Sequence, residues 1–341
     1  MTTMNITQFI RKNILELQPY ISFRDKNEFT NPVLMDANES PFGEFNRYPD
    51  STHKKIRNQI SQLKNISLSQ ISVGNGSDEL IDLIIKIFCE PKKDSILMMN
   101  PSFAIYGFYA SINENSVLKL QLDENFEIQK EDFFKIIKEN QPKIFFLCSP
   151  NNPTGNSISD IEFYIENFNG IVVVDEAYIE FSDEKSKIEL IEKYPNLIVL
   201  QTFSKAWGMA GARVGIAYSS EEITQLIYTV KAPYNVNSLS LDLVSESLEN
   251  VSEFQSNLEQ IIAERSWLKE EFKQIKCIEK VFPTGANFFL IKFKDVETVY
   301  QKLLENEILT SKRFPQILNC IRINVGNREE NIQLVNVLKN I

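Results

Sequence analysis

Histidine is nearly missing from this chain: His53 is the only one among 341 residues. That excludes metal sites built from several histidines, and a Ser-His-Asp triad would have to use that one residue. Cysteine is sparse too. Cys89, Cys148, Cys277 and Cys320 stand far apart with no CxxC pair, which fits a reducing cytoplasm and argues against a zinc ribbon. With only 11 glycines there is little scope for flexible linkers, and no repeat or low-complexity tract appears. No apolar run approaches the ~18 residues that a membrane span needs. Met1–Arg11 shows no basic segment followed by an apolar one, so no signal peptide is expected. Thirty-six lysines and arginines face 46 aspartates and glutamates, a formal net charge of −10, which speaks against a broad basic surface for nucleic acid or anionic membrane. An enzyme of this composition has to take its acid–base chemistry from lysine, tyrosine, carboxylates or a cofactor.

The chain is long enough for about two domains at ~150 residues each, and 43% hydrophobic against 24% charged residues is a globular balance. Between Ile71 and Tyr218 short β-rich runs alternate with helical patterns. The predicted strands are Ile71–Val73, Ser95–Met99, Lys143–Cys148, Gly170–Asp175, Leu197–Thr202 and Arg213–Tyr218. Ile144-Phe145-Phe146-Leu147 and Ile171-Val172-Val173-Val174 are apolar without alternation, as in strands covered on both faces. A helix over Asp78–Phe88 carries Leu80, Ile81, Ile84, Ile85 and Phe88 on one stripe. This predicts an α/β layer with a mostly parallel sheet. After Pro233 the texture changes to one long helical pattern over Ser238–Lys276, strands at Asn287–Phe293 and Cys320–Val325, and helices around Val296–Asn306 and Glu329–Leu338. The expected organisation is an N-terminal segment 1–30, helical over Ile6–Leu17 and packed on another domain or subunit, a large α/β domain 31–233 and a smaller α+β domain 234–341.

Four constellations carry chemistry. Ser149-Pro150-Asn151-Asn152-Pro153-Thr154-Gly155 follows a buried strand and sets amide donors at its carboxyl end, where open α/β sheets bind ligands; the alternative is a tight turn with asparagine caps. Asp175-Glu176-Ala177-Tyr178 ends the most apolar strand, where an acidic pair is costly unless paired or ligand-bound. The alternatives are a strand-end carboxylate reaching solvent and, further, a Mg²⁺ site. Thr202-Phe203-Ser204-Lys205, with Arg213 eight residues beyond, offers a desolvated, nucleophilic lysine and a phosphate-binding set, or an ordinary surface Ser-Lys pair. Gly74-Asn75-Gly76-Ser77-Asp78-Glu79 presents a helix start that attracts phosphate, or a simple capping loop with Ser77 or Asp78 as N-cap. Jointly they describe a site for pyridoxal phosphate: a Schiff-base lysine, an aspartate for the pyridinium, an asparagine and a tyrosine for the phenolic oxygen, and two phosphate anchors.

The segments SPNNPTG (149–155), DEAY (175–178) and SKAWGMAGARVG (204–215) resemble those of fold-type-I aminotransferases. Leu17-Gln18-Pro19-Tyr20, Asp36-Ala37-Asn38-Glu39, Asn46-Arg47-Tyr48-Pro49, Gly76-Ser77-Asp78-Glu79, Phe88-Cys89-Glu90-Pro91, Lys231-Ala232-Pro233-Tyr234-Asn235-Val236-Asn237 and Ile321-Arg322-Ile323-Asn324-Val325-Gly326 narrow the resemblance to the histidinol-phosphate aminotransferase family, in order from Leu17 to Glu330.

The resemblance implies that Lys205 carries pyridoxal phosphate and later moves a proton from the substrate carbon. It places Asp175 on the pyridine nitrogen, Asn152 and Tyr178 on the ring oxygen, Phe103 on the ring face, and Ser77, Asp78, Thr202, Ser204 and Arg213 around the phosphate. Tyr48 would reach the phosphate of a neighbouring subunit, making a homodimer with shared active sites. Tyr20 and Asn38 would line the substrate pocket and Arg322 would take the anionic end. The implied reaction moves an amino group between histidinol phosphate and 2-oxoglutarate, giving imidazole-acetol phosphate and glutamate, in histidine biosynthesis. Alternatives are an aminotransferase for an aromatic amino acid or another amino phosphate, or a decarboxylase of a phosphorylated amino acid. A non-enzymatic binding protein fits less well, because the whole cofactor set is present. No metal, nucleic acid or membrane partner is implied. Two departures stand out: phenylalanine replaces the family's usual tyrosine at position 103, and Ile308-Leu309-Thr310-Ser311-Lys312-Arg313 shifts an expected arginine by one to three positions, so that Lys312 or Arg313 substitutes for it.

Overall fold

In the computed structural model, which describes residues 5–20, 22–24 and 32–341, the runs of uninterrupted apolar residues become the centre of a seven-stranded sheet. Its strands are β1 (Ile71–Asn75), β2 (Ser95–Asn100), β3 (Ser116–Gln121), β4 (Ile144–Cys148), β5 (Ile171–Asp175), β6 (Leu197–Thr202) and β7 (Val214–Ser219), in the order β1-β7-β6-β5-β4-β2-β3. Only β7 runs against its neighbours β1 and β6; the other pairs are parallel. Six strands therefore end at one edge, and every chemistry-bearing loop predicted above leaves from that edge. Every residue of β4, β5, β6 and β7 is buried, because helices cover both faces of such a sheet.

A second sheet of four antiparallel strands follows, in the order β10-β11-β9-β8: β8 (Ile278–Val281), β9 (Phe288–Phe293), β10 (Ser311–Lys312) and β11 (Cys320–Asn324). It packs on the helices Val296–Glu305 and Arg328–Lys339 around its own core of Phe272, Phe289, Ile291, Val299, Leu303, Ile321 and Leu334.

The structure differs from the sequence expectations in several places. β3, β8 and β10 are not among the expected strands: Ser116–Gln121 is an edge strand with a single buried residue, Ile278–Val281 has none, and Ser311–Lys312 is two residues long, so none carries a clear apolar signal. The single long helical pattern over 238–276 is two helices, Ser238–Glu249 and Val251–Phe272, broken where Asn250 leaves helical geometry and its N–H bonds back to Glu246 and Ser247. The first of these packs in the large core through Val244, so the small core begins well after Pro233, with Leu268. The expected helix over Ile6–Leu17 is a 3-10 turn, Ile6–Phe9, and one short helical stretch, Lys12–Leu15. Ile10 and Arg11 between them are extended, and the Arg11 N–H bonds to Ile87 O at 3.0 Å. Ile6, Phe9, Ile10 and Ile14 are buried in the large core; the rest of the expected segment 1–30 lies partly outside the described residues.

Candidate active site

A cavity of about 440 Å³ opens at the carboxyl edge of the large sheet, lined by Ser77, Asp78, Phe103, Asn152, Asp175, Tyr178, Thr202, Ser204, Lys205, Arg213, Arg313 and Arg322 among others. Twelve residues that the sequence placed in one site thus come from seven separate stretches of chain to one wall-to-wall pocket.

The acidic pair divides in two. Successive side chains of an extended chain point to opposite faces, so Asp175 enters the cavity while Glu176 turns away. Glu176 is fully satisfied there, accepting from Ser186 Oγ at 2.6 Å, Lys187 N–H at 2.6 Å and Gln201 Nε2 at 2.9 Å. Burial overturns the solvent-reaching reading, since Asp175 is only 2% exposed, and the two carboxylates face apart rather than converging on one Mg²⁺ ion. Asp175 accepts from Tyr106 Oη at 2.6 Å and from Ala177 N–H at 3.0 Å. No cation lies within ion-pair distance of it among the described residues, and burial pushes its pKa up.

The asparagine pair divides in the same way. Asn151 is wholly buried and structural: its amide donates to Pro101 O at 3.0 Å and Thr154 Oγ1 at 2.7 Å, and its carbonyl accepts from Ser102 Oγ at 2.8 Å. It ties the loop after β2 to the loop after β4. Asn152 faces the cavity, where its carbonyl accepts from Arg322 Nη1.

Where β1 passes into the helix Gly76–Phe88, glycine is required at Gly76 and, facing it from β7, at Gly215. Gly76 has φ +74°, and a Cβ there would stand 2.5 Å from Arg213 Nη2. A Cβ on Gly215 would stand 2.2 Å from Ser77 N. The helix start therefore lies directly on β7, with the Arg213 guanidinium folded over it. Arg213 reaches Asp78 Oδ2 at 3.2 Å, Ser204 Oγ at 3.5 Å and Ala210 O at 3.3 Å. Asn75, not Ser77 or Asp78, occupies the N-cap position, which leaves those two in the first turn, where N–H groups lack helical acceptors. Arginine, hydroxyl and helix start form an anion cradle.

Lys205 is half-buried, its Nζ 5.6 Å from the centre of the Tyr178 ring. Burial lowers its pKa, and the positive charges of Arg322 and Arg213 add to that effect against Asp175 and Asp78. Tyr178 is buried edge-on against Phe288, 5.2 Å between ring centres, and burial raises its pKa. Arg322 reaches in from β11 over the Phe288 ring, 5.1 Å from its centre, and its buried Nε has no partner among the described residues. Of the two basic residues proposed for the shifted arginine, Arg313 enters the cavity and Lys312 does not. The chain stays extended just past β10, where the Arg313 N–H bonds to Cys320 O, so Lys312 and Arg313 face opposite ways; Lys312 lies 3.8 Å from Glu297 and over the Phe314 ring. Arg313 and Arg322 together give the cavity a doubly cationic wall.

Three expected residues are not brought to this cavity within one chain. Tyr20 is 70% exposed. Asn38 and Tyr48 line a separate groove with Tyr234, whose ring stacks on Tyr48 at 4.5 Å. There Glu39 clamps the segment by accepting from Arg24, from Arg47 at 2.8 Å and from the Tyr48 N–H at 2.6 Å. The Arg24 guanidinium, first among its partners, holds the Glu39 carboxyl down to about 2. His53 is also outside the cavity; burial beside Tyr228 lowers its pKa to about 3, so it stays neutral and structural. The sequence reading missed Tyr106, whose only signal is a hydroxyl on the inward stripe three residues beyond Phe103.

Comparison with known proteins agrees with this geometry. The profile of the family described as aminotransferase class I and II matches residues 21–338. The histidinol-phosphate aminotransferase of Flavobacterium psychrophilum is 43% identical over 346 residues, covering 99% of either chain, and that of Cytophaga hutchinsonii is 41% identical, covering 98% of this chain and 99% of that one. Among solved structures, the histidinol-phosphate aminotransferase of Clostridium acetobutylicum superposes with a TM-score of 0.78 at 26% identity, over 87% of this chain and 90% of that one.

Proposed function

The chain belongs to the class I and II aminotransferase family, and from that membership we propose that it transfers the amino group of histidinol phosphate to 2-oxoglutarate in histidine biosynthesis. One observation carries the reading: a half-buried lysine, a buried carboxylate without a cation and an arginine-capped anion cradle share a cavity whose far wall holds two further arginines.

These residues fit pyridoxal phosphate. The space that a Cβ on Gly76 would fill belongs to the Arg213 guanidinium, so the cradle is shaped for a phosphate beside Ser204, Thr202 and the helix start at Ser77 and Asp78. Asp175 offers the negative charge that a protonated pyridine nitrogen requires, Asn152 and Tyr178 offer groups for the ring oxygen, and Phe103 offers an aromatic face. When bound, the cofactor supplies a ring that accepts the electron pair left by the departing proton.

The chain's own residues do the rest. Lys205 Nζ, kept less basic by burial and by Arg322, holds the cofactor as a nucleophile and then takes a proton from the amino-bearing carbon of the substrate. Arg322 and Arg313 bind the anionic end: the phosphate of histidinol phosphate in one half-reaction and carboxylates of 2-oxoglutarate or glutamate in the other. The orphaned Nε of Arg322 and the loss of full solvation of both guanidiniums favour an anion there. Purified protein with 2-oxoglutarate and a panel of amino donors tests this. Histidinol phosphate should exceed aromatic amino acids in kcat/KM by about 10²-fold or more, because an uncharged donor leaves buried arginines unpaired. Preference for an aromatic amino acid, or CO₂ release from a phosphorylated amino acid, would replace this reading with one of its rivals.

The working form we propose is a cytoplasmic homodimer. Phe45 lines the groove of Tyr48, and it and its chain neighbours Val33, Met35 and Phe42 are more than half exposed, a set of apolar side chains suited to cover by a second copy. In that arrangement Tyr48 serves the partner's phosphate cradle. Tyr48→Ala and Lys205→Ala proteins, each severely impaired, should then complement when mixed and allowed to exchange. One site of each hybrid carries both lesions and the other neither, so activity should rise toward half the parent value per hybrid. Hybrids confirmed by mass spectrometry that remain inactive would return Tyr48 to a role within its own chain.

A further inference from the structure

Tyr106 is the second residue of the helix Ile105–Ile112, which starts just past the carboxyl end of β2, and none of its surface is exposed. A tyrosine buried this deeply needs a partner for its hydroxyl, and the partner is Asp175 Oδ2 at 2.6 Å. The ring cannot turn away. It is stacked on Phe146 of β4, 4.6 Å between centres and 9° between planes, and is met edge-on by Phe103 at 5.5 Å. Phe103 lines the cavity and Phe146 belongs to the sheet core, so the tyrosine is fixed by both. The other carboxylate oxygen of Asp175 accepts from Ala177 N–H at 3.0 Å. Both contacts come from donors, which favour the ionised carboxylate against its burial. Among the described residues, Cys148, its register partner on β4, Tyr178, and the charges of Lys205 and Asp78 also act on it; neither of these charges lies within ion-pair distance of it.

Resting on the reading that pyridoxal phosphate occupies the cavity, we propose that Tyr106 is a positioning residue for Asp175: its hydroxyl fixes the orientation and the ionised state of the carboxylate that faces the cofactor nitrogen. Phenylalanine at this position would fill the same space and keep both ring contacts, so packing alone does not call for the hydroxyl.

The experiment is a double-mutant cycle on the holoenzyme, with cofactor dissociation read by absorbance and fluorescence and turnover read separately. Tyr106→Phe should keep the parent fold, raise the cofactor dissociation constant roughly tenfold, the size of one hydrogen bond to a charged group, and lower kcat with KM for the amino donor unchanged. In an Asp175→Asn background the same substitution should have almost no further effect on cofactor affinity, since the proposed role of the hydroxyl runs through the carboxylate and its other neighbour, the Cys148 thiol, is the same in both backgrounds. p-Aminophenylalanine introduced at position 106, which restores a donor, should recover affinity and kcat. Equal losses in both backgrounds, or a Tyr106→Phe protein with parent affinity and kcat, would overturn the proposal. If Tyr106→Phe fails to fold, the p-aminophenylalanine protein decides: parent-like affinity supports the donor role, and a tenfold loss in a folded protein refutes it. A parent that does not retain the cofactor at all would instead remove the reading on which the proposal rests.

Discussion

A Lys205→Ala protein is expected to fold normally and to lose transamination by about 10⁴-fold or more. The fold survives because the lysine stabilises little. Its ammonium makes no ion pair or hydrogen bond among the described residues, and it is partly stripped of water beside Arg322 and Arg213. Removing it relieves that repulsion, so the melting temperature of the apoprotein should match or exceed the parent's. The activity does not survive because two functions rest on one nitrogen. The amine is the nucleophile proposed to hold the cofactor, and its lowered pKa suits it to move the proton, whereas Tyr178 has its pKa raised by burial and the arginines do not give up theirs. Borohydride treatment of the parent should leave a stable label at Lys205, and none in the variant. Normal turnover by a well-folded Lys205→Ala protein would remove the chemical assignment of the whole cavity.

The part of this site that was legible in the sequence is the part carried by local pattern. β4 and β5 could be read because strands buried on both faces are apolar at every position, and a polar residue ending such a strand stands out at once. That logic identified Asn152, Asp175 and Lys205. It could not divide Asn151 from Asn152 or Asp175 from Glu176, since the face each residue takes is decided by the turn that follows, and the clamp of Asn151 onto Pro101 and Ser102 spans about fifty positions. Arg313 was separable from Lys312 only through the pairing of β10 with β11. Tyr106 lay beyond reach for the same reason: its contact with Asp175 is 69 residues distant in sequence, and in its own neighbourhood it is one aromatic residue on an apolar helix. Tyr20, Asn38 and Tyr48 were placed at the site by resemblance alone, and within one chain they stand outside the cavity.

Asp175→Asn is expected to cost on the order of 10²-fold or more in kcat, a loss typical of removing a preorganised charge from a water-excluded site. The substitution keeps the size and planarity of the side chain, so the sheet edge and the β5 register should hold. What changes is charge and hydrogen-bond sense. Asp175 presents two acceptor oxygens to two donors, Tyr106 Oη and Ala177 N–H. An amide has one acceptor only, so one donor must face the new NH₂ group unless the Tyr106 hydroxyl rotates to accept. The neutral amide also cannot hold the proton of a pyridine nitrogen by charge, and without that proton the ring is a poor electron sink. Both effects act on the chemical step more than on substrate binding, because Arg322 and Arg313 stand on the other wall and keep their contacts. The variant should therefore show a reduced kcat, weakened cofactor retention and a nearly unchanged KM for the amino donor. A change confined to KM would point instead to a disturbed substrate wall. Activity within a few-fold of the parent would mean that the carboxylate serves the fold, and that the buried charge at the end of β5 has a structural cause.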